Sequence, residues 1–484
     1  MHALDRCDIF VTYMIVMLGV GFFFLRKNKN SEDYYVGGRG MGSLHVGLSV
    51  VATDVGGGFS IGLGGLGFTM GISGSWMLFT GLVGAWMAAV LLIPAVSKLA
   101  LSKKLLTFPQ LFGHYYSKQV ALLAGIISAI GYIGFTSSQI LAGAKLASST
   151  FINLDMTTAL LIMGVIAIVY TVLGGIKAVI YTDTVQWIIL MAGLIFIGIP
   201  MGYNAVGGYR GMMETIRPEL LSLTNIDWST LLNWSVTIIP IWFVGMTLYQ
   251  RIYACGNEKV AKKAWFIAGL FEWPIMAFMG VLLGLFARVA ADQGMFTSLG
   301  YSDPAAMDAE IGLPLLLRSV LPVGLMGLMM SAYFSAIMST ADSCLMAASG
   351  NLQTDVFGRW LHTNKTDKTI LRSSQWLTLG IGVVALVLAA FMQNVLSLML
   401  YSYAFMVSGL FIPVLGALFM KNPSSLAAFL SMLLGGGVTL VLILTGVSLP
   451  YGLDANIFGI SVALTVFIIV NYVKGRLHAS PAVS

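Results

Sequence analysis

Asp54 stands in the middle of an apolar stretch, GLSVVATDVGGGFSIGLGGLGFTMG (residues 47–71), and three consecutive glycines, Gly56 to Gly58, follow it closely. Hydrocarbon tolerates non-helical backbone only where it lines a cavity or is buried in protein. An ionisable side chain at that depth is costly and marks a solute or ion site by default. Freed backbone carbonyls and the Asp54 carboxylate are therefore candidate ligands. The competing reading is close helix packing through small pairs such as Gly58/Gly62 and Gly67/Gly71. Packing alone requires no aspartate. A second constellation is SAYFSAIMSTADSCLMAAS, where Ser331, Ser335, Ser339 and Ser343 recur every four residues along one helical face, flanked by Thr340 and Asp342. Hydroxyl and carboxylate oxygens suit a hard cation that has shed its water. Serines also bond their own i−4 carbonyls, but the polar density here exceeds what packing needs.

Other embedded groups are less decided. Asp183, in GGIKAVIYTDTVQ with Gln186 three residues on, is read in the first turn of a helix, where it either joins a site or complements the helix dipole. Glu272, in FEWP, has no assigned role. Lys145 is read as snorkelling to the outer interface. Catalytic signatures fail: GLGGLG at 62–67 lies within an apolar span rather than between a strand and a helix, and neither G-x-S-x-G nor H-E-x-x-H occurs. Cys7, Cys255 and Cys344 are scattered and suggest neither a disulfide framework nor a metal site. The chain is not expected to be an enzyme.

The elements that must hold these residues are membrane spans. Of 484 residues, 58% are hydrophobic and 10% charged, well outside the composition of a soluble domain. The net charge of +6 falls in short clusters between apolar runs, which argues against nucleic acid. About thirteen runs can cross a core of ~30 Å at ~1.5 Å per residue. They lie near 8–25, 44–71, 75–97, 119–147, 156–173, 178–202, 232–252, 264–290, 321–348, 374–392, 395–420, 424–446 and 455–473. The first is read as a retained span, not a signal peptide. Basic residues set the orientation. Arg26, Lys27, Lys29 and Arg39, then Lys98, Lys103, Lys104 and Lys118, place those loops in the cytoplasm, and alternation carries Arg251, Lys259, Arg359, Lys365 and Lys474 to the same side. The N-terminus is then outside and the C-terminus inside. The loops at 203–231 and 291–320 read as outer connectors with short helices, or as lids.

The expected fold is one all-α polytopic membrane domain over 1–484. Span 2 is interrupted at Gly56–Gly58, and five spans later span 7 carries Pro240 and Gly245 near its middle. Paired broken helices point to a transporter site. Five is odd, so a second repeat at 232–420 must lie inverted relative to the first at 44–202, with two further helices over 424–473.

Five stretches together carry a family likeness: EDYYVGGRGMG, LSVVATDVGGGFSIGLGGLGF, YTVLGGIKAVIYTDTVQ, QRIYACGNEKVAKKAW and SAIMSTADSCLMAASGNLQTDVF. Over nearly the whole chain the sequence resembles the sodium:solute symporter family, which includes proline, sugar, pantothenate, sialic acid and choline transporters. The resemblance implies a leucine-transporter-like core of two inverted five-helix repeats, with one helix before and two after. It implies a sodium ion between the broken helix and span 9, at the carbonyls of Ala52, Val55 and Ala336 and the hydroxyls of Ser339 and Thr340. Members with a second sodium suggest Asp183, Ser339, Asp342 and Ser343, although Asp342 stands where such members often carry serine. Sugar-transporting relatives place polar or acidic groups where this chain reads GGGFS and SWMLFTG. Choline transporters carry an aromatic residue at the position of Asp54, whereas proline transporters place an aspartate there.

The expectation is a sodium-driven symporter in the plasma membrane importing an amino acid such as proline, or a similar small polar metabolite, by alternating access. Expected partners are the solute, Na+ and the lipid bilayer, with no nucleic acid and no obligate protein partner. Candidate pocket residues are Asp54, Gly57, Phe59, Met77, Gln139, Trp242 and Gly245. Two rival classes are a solute sensor that keeps the transporter fold, and a channel or sodium-independent uniporter. The sensor would need an output domain, and few residues follow the last span.

Overall fold

The computed structural model describes residues 39–54, 57–151, 154–174, 176–357 and 367–479, with isolated residues between 8 and 19. Most of the first expected span, together with Val55 and Gly56, lies outside the described residues.

Helices dominate because apolar runs in a membrane must satisfy their backbone internally. Among the described residues nine helices are long and apolar enough to cross a membrane, and a bent pair makes a tenth. In span 2 the described residues form α1 (Ser43–Asp54) and α2 (Gly57–Met70) on either side of Val55 and Gly56. A 3-10 turn, Gly71–Ser75, leads into α3 (Trp76–Leu91). Next come α4 (Lys118–Thr150), α5 (Met156–Gly174) and α6 (Ile176–Gly193). The bent pair is α7 (Trp228–Val244) and α8 (Met246–Ala254), which meet at 42°. α9 (Glu258–Leu270) and α10 (Ala277–Asp292) flank an irregular stretch, Phe271–Met276. The remainder comprises α11 (Ala309–Val320), α12 (Val323–Asn351), α13 (Asp367–Ala390), α14 (Val395–Phe419), α15 (Ser425–Thr445) and α16 (Ala455–Ala479).

The second break forms at Gly245, whose extended backbone ends α7, and not at Pro240, which the helix accommodates. α1 packs on α6, α9 and α12, while α2 packs on α10 and α11. The glycines after the break serve that packing as well. A Cβ at Gly67 would stand 2.2 Å from the Val281 carbonyl oxygen, and one at Gly284 would stand 2.0 Å from that of Gly64. Close packing is thus one use of these glycines, at Gly64, Gly67 and Gly284.

Three expectations are corrected. Arg251, counted among the cytoplasmic loop charges, continues α8 into the interior and is fully buried. Lys145 does not snorkel: it is buried, with Nζ 2.6 Å from Asp308 and 2.7 Å from Glu310. Asp183 is two turns into α6, beyond the reach of a helix-end dipole. The loop at 291–320 is also more than a connector, since α11 within it buries Glu310 and most of its apolar face against α2, α4 and α10.

Candidate functional site

α1 is described as far as Asp54. A backbone carbonyl oxygen near it can ligate a cation that has shed its water. The structure brings α12 against this end. Thr340 Oγ1 lies 3.0 Å from the Ala52 carbonyl and 3.2 Å from that of Ala336, and Ser339 Oγ lies 3.2 Å from the Ala336 carbonyl. Four of the five expected ligating groups thus share one neighbourhood. Val55 lies outside the described residues.

The groups suggested for a second cation are divided. Asp183 Oδ2 accepts from Ser49 at 2.6 Å and pairs with Arg251 Nη2 at 3.3 Å. Arg251 also donates to Ser343 Oγ at 3.0 Å, to Ser49 Oγ at 3.1 Å, to the Thr247 carbonyl at 3.1 Å and to Thr53 Oγ1. One guanidinium therefore ties α8 to α1, α6 and α12. Its charge already answers Asp183, so Asp183 can serve a sodium only if Arg251 leaves it. Asp342 instead accepts from Thr171 of α5.

At the solute positions, Asp54 Oδ1 accepts from the Tyr403 hydroxyl of α14 at 3.2 Å, and the Tyr403 ring meets Phe135 edge-on at 5.0 Å. Met77 and Trp242 are buried, the latter against Gly84 of α3 and edge-on to Trp265. The freed groups at Gly245 are taken by phenols: Tyr249 donates to the Phe243 carbonyl at 2.8 Å, and the Thr247 amide donates to Tyr132 at 3.0 Å. Gln139 is buried beside Ser138, to which its amide donates at 3.3 Å. Gly57 begins α2, while the side chain of Phe59 lies outside the described residues. Sequence reasoning missed Tyr403, Tyr132 and Tyr249, because a tyrosine in an apolar run gives no signal of its own.

The model of one family, the sodium:solute symporters, matches residues 34–435. The chain belongs to that family. Like its other members it is a multi-pass membrane transporter, not an enzyme, coupling sodium to a small polar solute by alternating access. Among curated proteins it is 28% identical over 441 residues to the high-affinity proline transporter PutP of Bacillus subtilis, covering 89% of this chain and 91% of that one. It is 28% identical over 410 residues to the sodium/proline symporter of Escherichia coli, covering 82% and 79% respectively. Among solved structures, an outward-open Na+-coupled sialic acid symporter superposes with a TM-score of 0.78 at 21% identity, covering 97% of this chain and 98% of that one. That likeness concerns the fold.

Proposed function

We propose that this symporter imports an amino acid such as proline, or a similar small polar metabolite, with sodium seated between α1 and α12. The observation that carries the reading is the Thr340 hydroxyl on the Ala52 carbonyl, which joins α1 to α12 through oxygen atoms. Sodium would be held by the carbonyls of Ala52, Val55 and Ala336 and the hydroxyls of Ser339 and Thr340. Binding there would fix α1 against α12 and so set the position of Asp54, two residues beyond Ala52. Asp54 and the proline-transporting relatives support an amino solute. Two inverted repeats, 44–202 and 232–420, with one span before and two after, would give thirteen spans, the N-terminus outside and the C-terminus inside. The bend at Gly245 supports the broken helix of the second repeat.

At about −100 mV each sodium supplies about 2.3 kcal/mol. A tenfold sodium gradient adds about 1.4 kcal/mol, enough together to concentrate solute several hundredfold per coupled ion. Uptake of labelled proline and other amino acids into proteoliposomes tests the reading. Accumulation should require an inward sodium gradient and rise with an inside-negative potential. Equal uptake in potassium would identify a uniporter, and binding without uptake a sensor.

A further inference from the structure

The short helix Pro109–Tyr115, the start of α4, the turn from α14 into α15 and the last turns of α16 converge at the membrane face expected to be cytoplasmic. They enclose a cleft of about 620 Å³, flanked by Lys421 and Lys474 and lined also by His114, Tyr115, Asn422 and Asn471. Lys474 borders a second groove as well, of about 510 Å³, together with Ser117, Val120, Leu426 and Phe429. Hydrogen bonds hold the walls. Asn471 Oδ1 accepts from the Ser424 amide at 2.8 Å, which ties α16 to the turn, and the Tyr116 hydroxyl donates to the Pro413 carbonyl of α14 at 2.7 Å. The cleft is thus preformed, as binding sites generally are.

Its chemistry favours an anion. No carboxylate lines either cavity, and neither Lys421 nor Lys474 has an ion-pair partner among the described residues. α4 and α15 both begin here, and the hydroxyls of Ser117 and Ser424 accept from the amides of Val120 and Ala427, each at 3.4 Å. Other first-turn amides have no acceptor within their own helix, so they add positive partial charge beside the lysines. The groove sets a second requirement. Val120, Leu426 and Phe429 lie deeper along α4 and α15 than the capping serines, and Leu426 is 54% exposed. A cationic cleft above an apolar groove repeats the order of a phospholipid, with phosphate at the interface and acyl chain in the hydrocarbon.

We propose that the cleft and groove together bind an anionic phospholipid of the leaflet on that face, its phosphate between Lys421 and Lys474 and an acyl chain along Leu426 and Phe429. The site is separate from the sodium and solute positions and stands independently of the symport reading. A soluble phosphate would answer the lysines and leave the groove unused.

The test uses the full-length protein, delipidated in detergent, with binding read by native mass spectrometry and by thermal stability. The probes are phosphatidylglycerol, phosphatidylcholine and sn-glycerol 3-phosphate. Phosphatidylglycerol should bind and stabilise saturably, well ahead of the other two. Lys421→Gln and Lys474→Gln should each weaken that binding about fivefold, and together about 30-fold, at the usual worth of a lysine beside anionic lipid. Leu426→Asn should weaken it too. Lys103→Gln, on the same face but outside the cleft, should leave it unchanged. The proposal is overturned if phosphatidylcholine binds as tightly, since charge is then not read, or if sn-glycerol 3-phosphate stabilises equally, since the ligand is then a soluble phosphate. It is also overturned if Lys103→Gln weakens binding as much as the cleft variants do, which reduces the effect to general surface charge, or if the Lys421→Gln/Lys474→Gln double variant binds phosphatidylglycerol as the native protein does.

Discussion

A hydroxyl that donates to a backbone carbonyl in one moment and accepts a cation in the next is the simplest element of this site. Thr340 and Ser339 both do the former here. Replacing either with alanine should raise the half-saturating sodium concentration for uptake with little effect on folding, because in the proposed site each loss would remove one oxygen ligand of a dehydrated ion. Unchanged sodium activation in both variants would move the ion elsewhere. Arg251 is a different case, since it and Asp183 are fully buried and mutually dependent. Arg251→Met leaves Asp183 uncompensated and should cost about 3–5 kcal/mol of stability. Arg251→Met with Asp183→Asn should recover much of that loss in thermal unfolding. Lysine is no substitute, because a guanidinium reaches several acceptors in a plane and an ammonium is a point charge. If the double variant is no more stable than the single, the pair is not what holds α8 in place.

Glycine lets some helices of this protein approach backbone to backbone. Where α2 crosses α10, the backbone carbonyl of Val281 sits where a side chain at Gly67 would begin. Gly67→Leu should therefore prevent α10 from seating and abolish accumulation of folded protein, read as loss of a monodisperse peak after detergent extraction. Gly324, with open space around its Cα, should tolerate alanine. In the 291–320 stretch, Glu310 does two things: it pairs with Lys145 and accepts from the amides of Val395 and Leu396, both at 2.9 Å, at the start of α14. Lys145→Met should leave two acids facing without a cation and loosen α11. Faster proteolysis or hydrogen exchange across 309–320, with α14 retained, is the expected readout.

For the whole molecule, coupling requires that sodium and solute each favour the same arrangement of α1 against α12. Sodium should therefore raise solute affinity, and solute should raise sodium affinity by the same factor, since linkage between two sites is reciprocal. Binding titrations of each ligand at several fixed concentrations of the other check this. Unequal factors at equilibrium would show that the two do not report on one conformational change.

Where most of the described helices run was legible in the chain, because transfer free energy belongs to a stretch in isolation. The serines of α12 were legible for the same reason, as a face repeating every four residues. The partners of those groups were not. Asp183 meets Arg251 across 68 residues, Lys145 meets Glu310 across 165, and Asp54 meets Tyr403 across 349. A sequence states that Arg251 is charged, and by the count of basic residues it belonged in a loop. Only the packing of α8 on α1 and α12, with the ion pair to Asp183 of α6, turned it inward. A charge is fixed by the residue that carries it. Its neighbours are fixed by how distant helices rotate and pack, and in a low dielectric the neighbours decide what the charge can do.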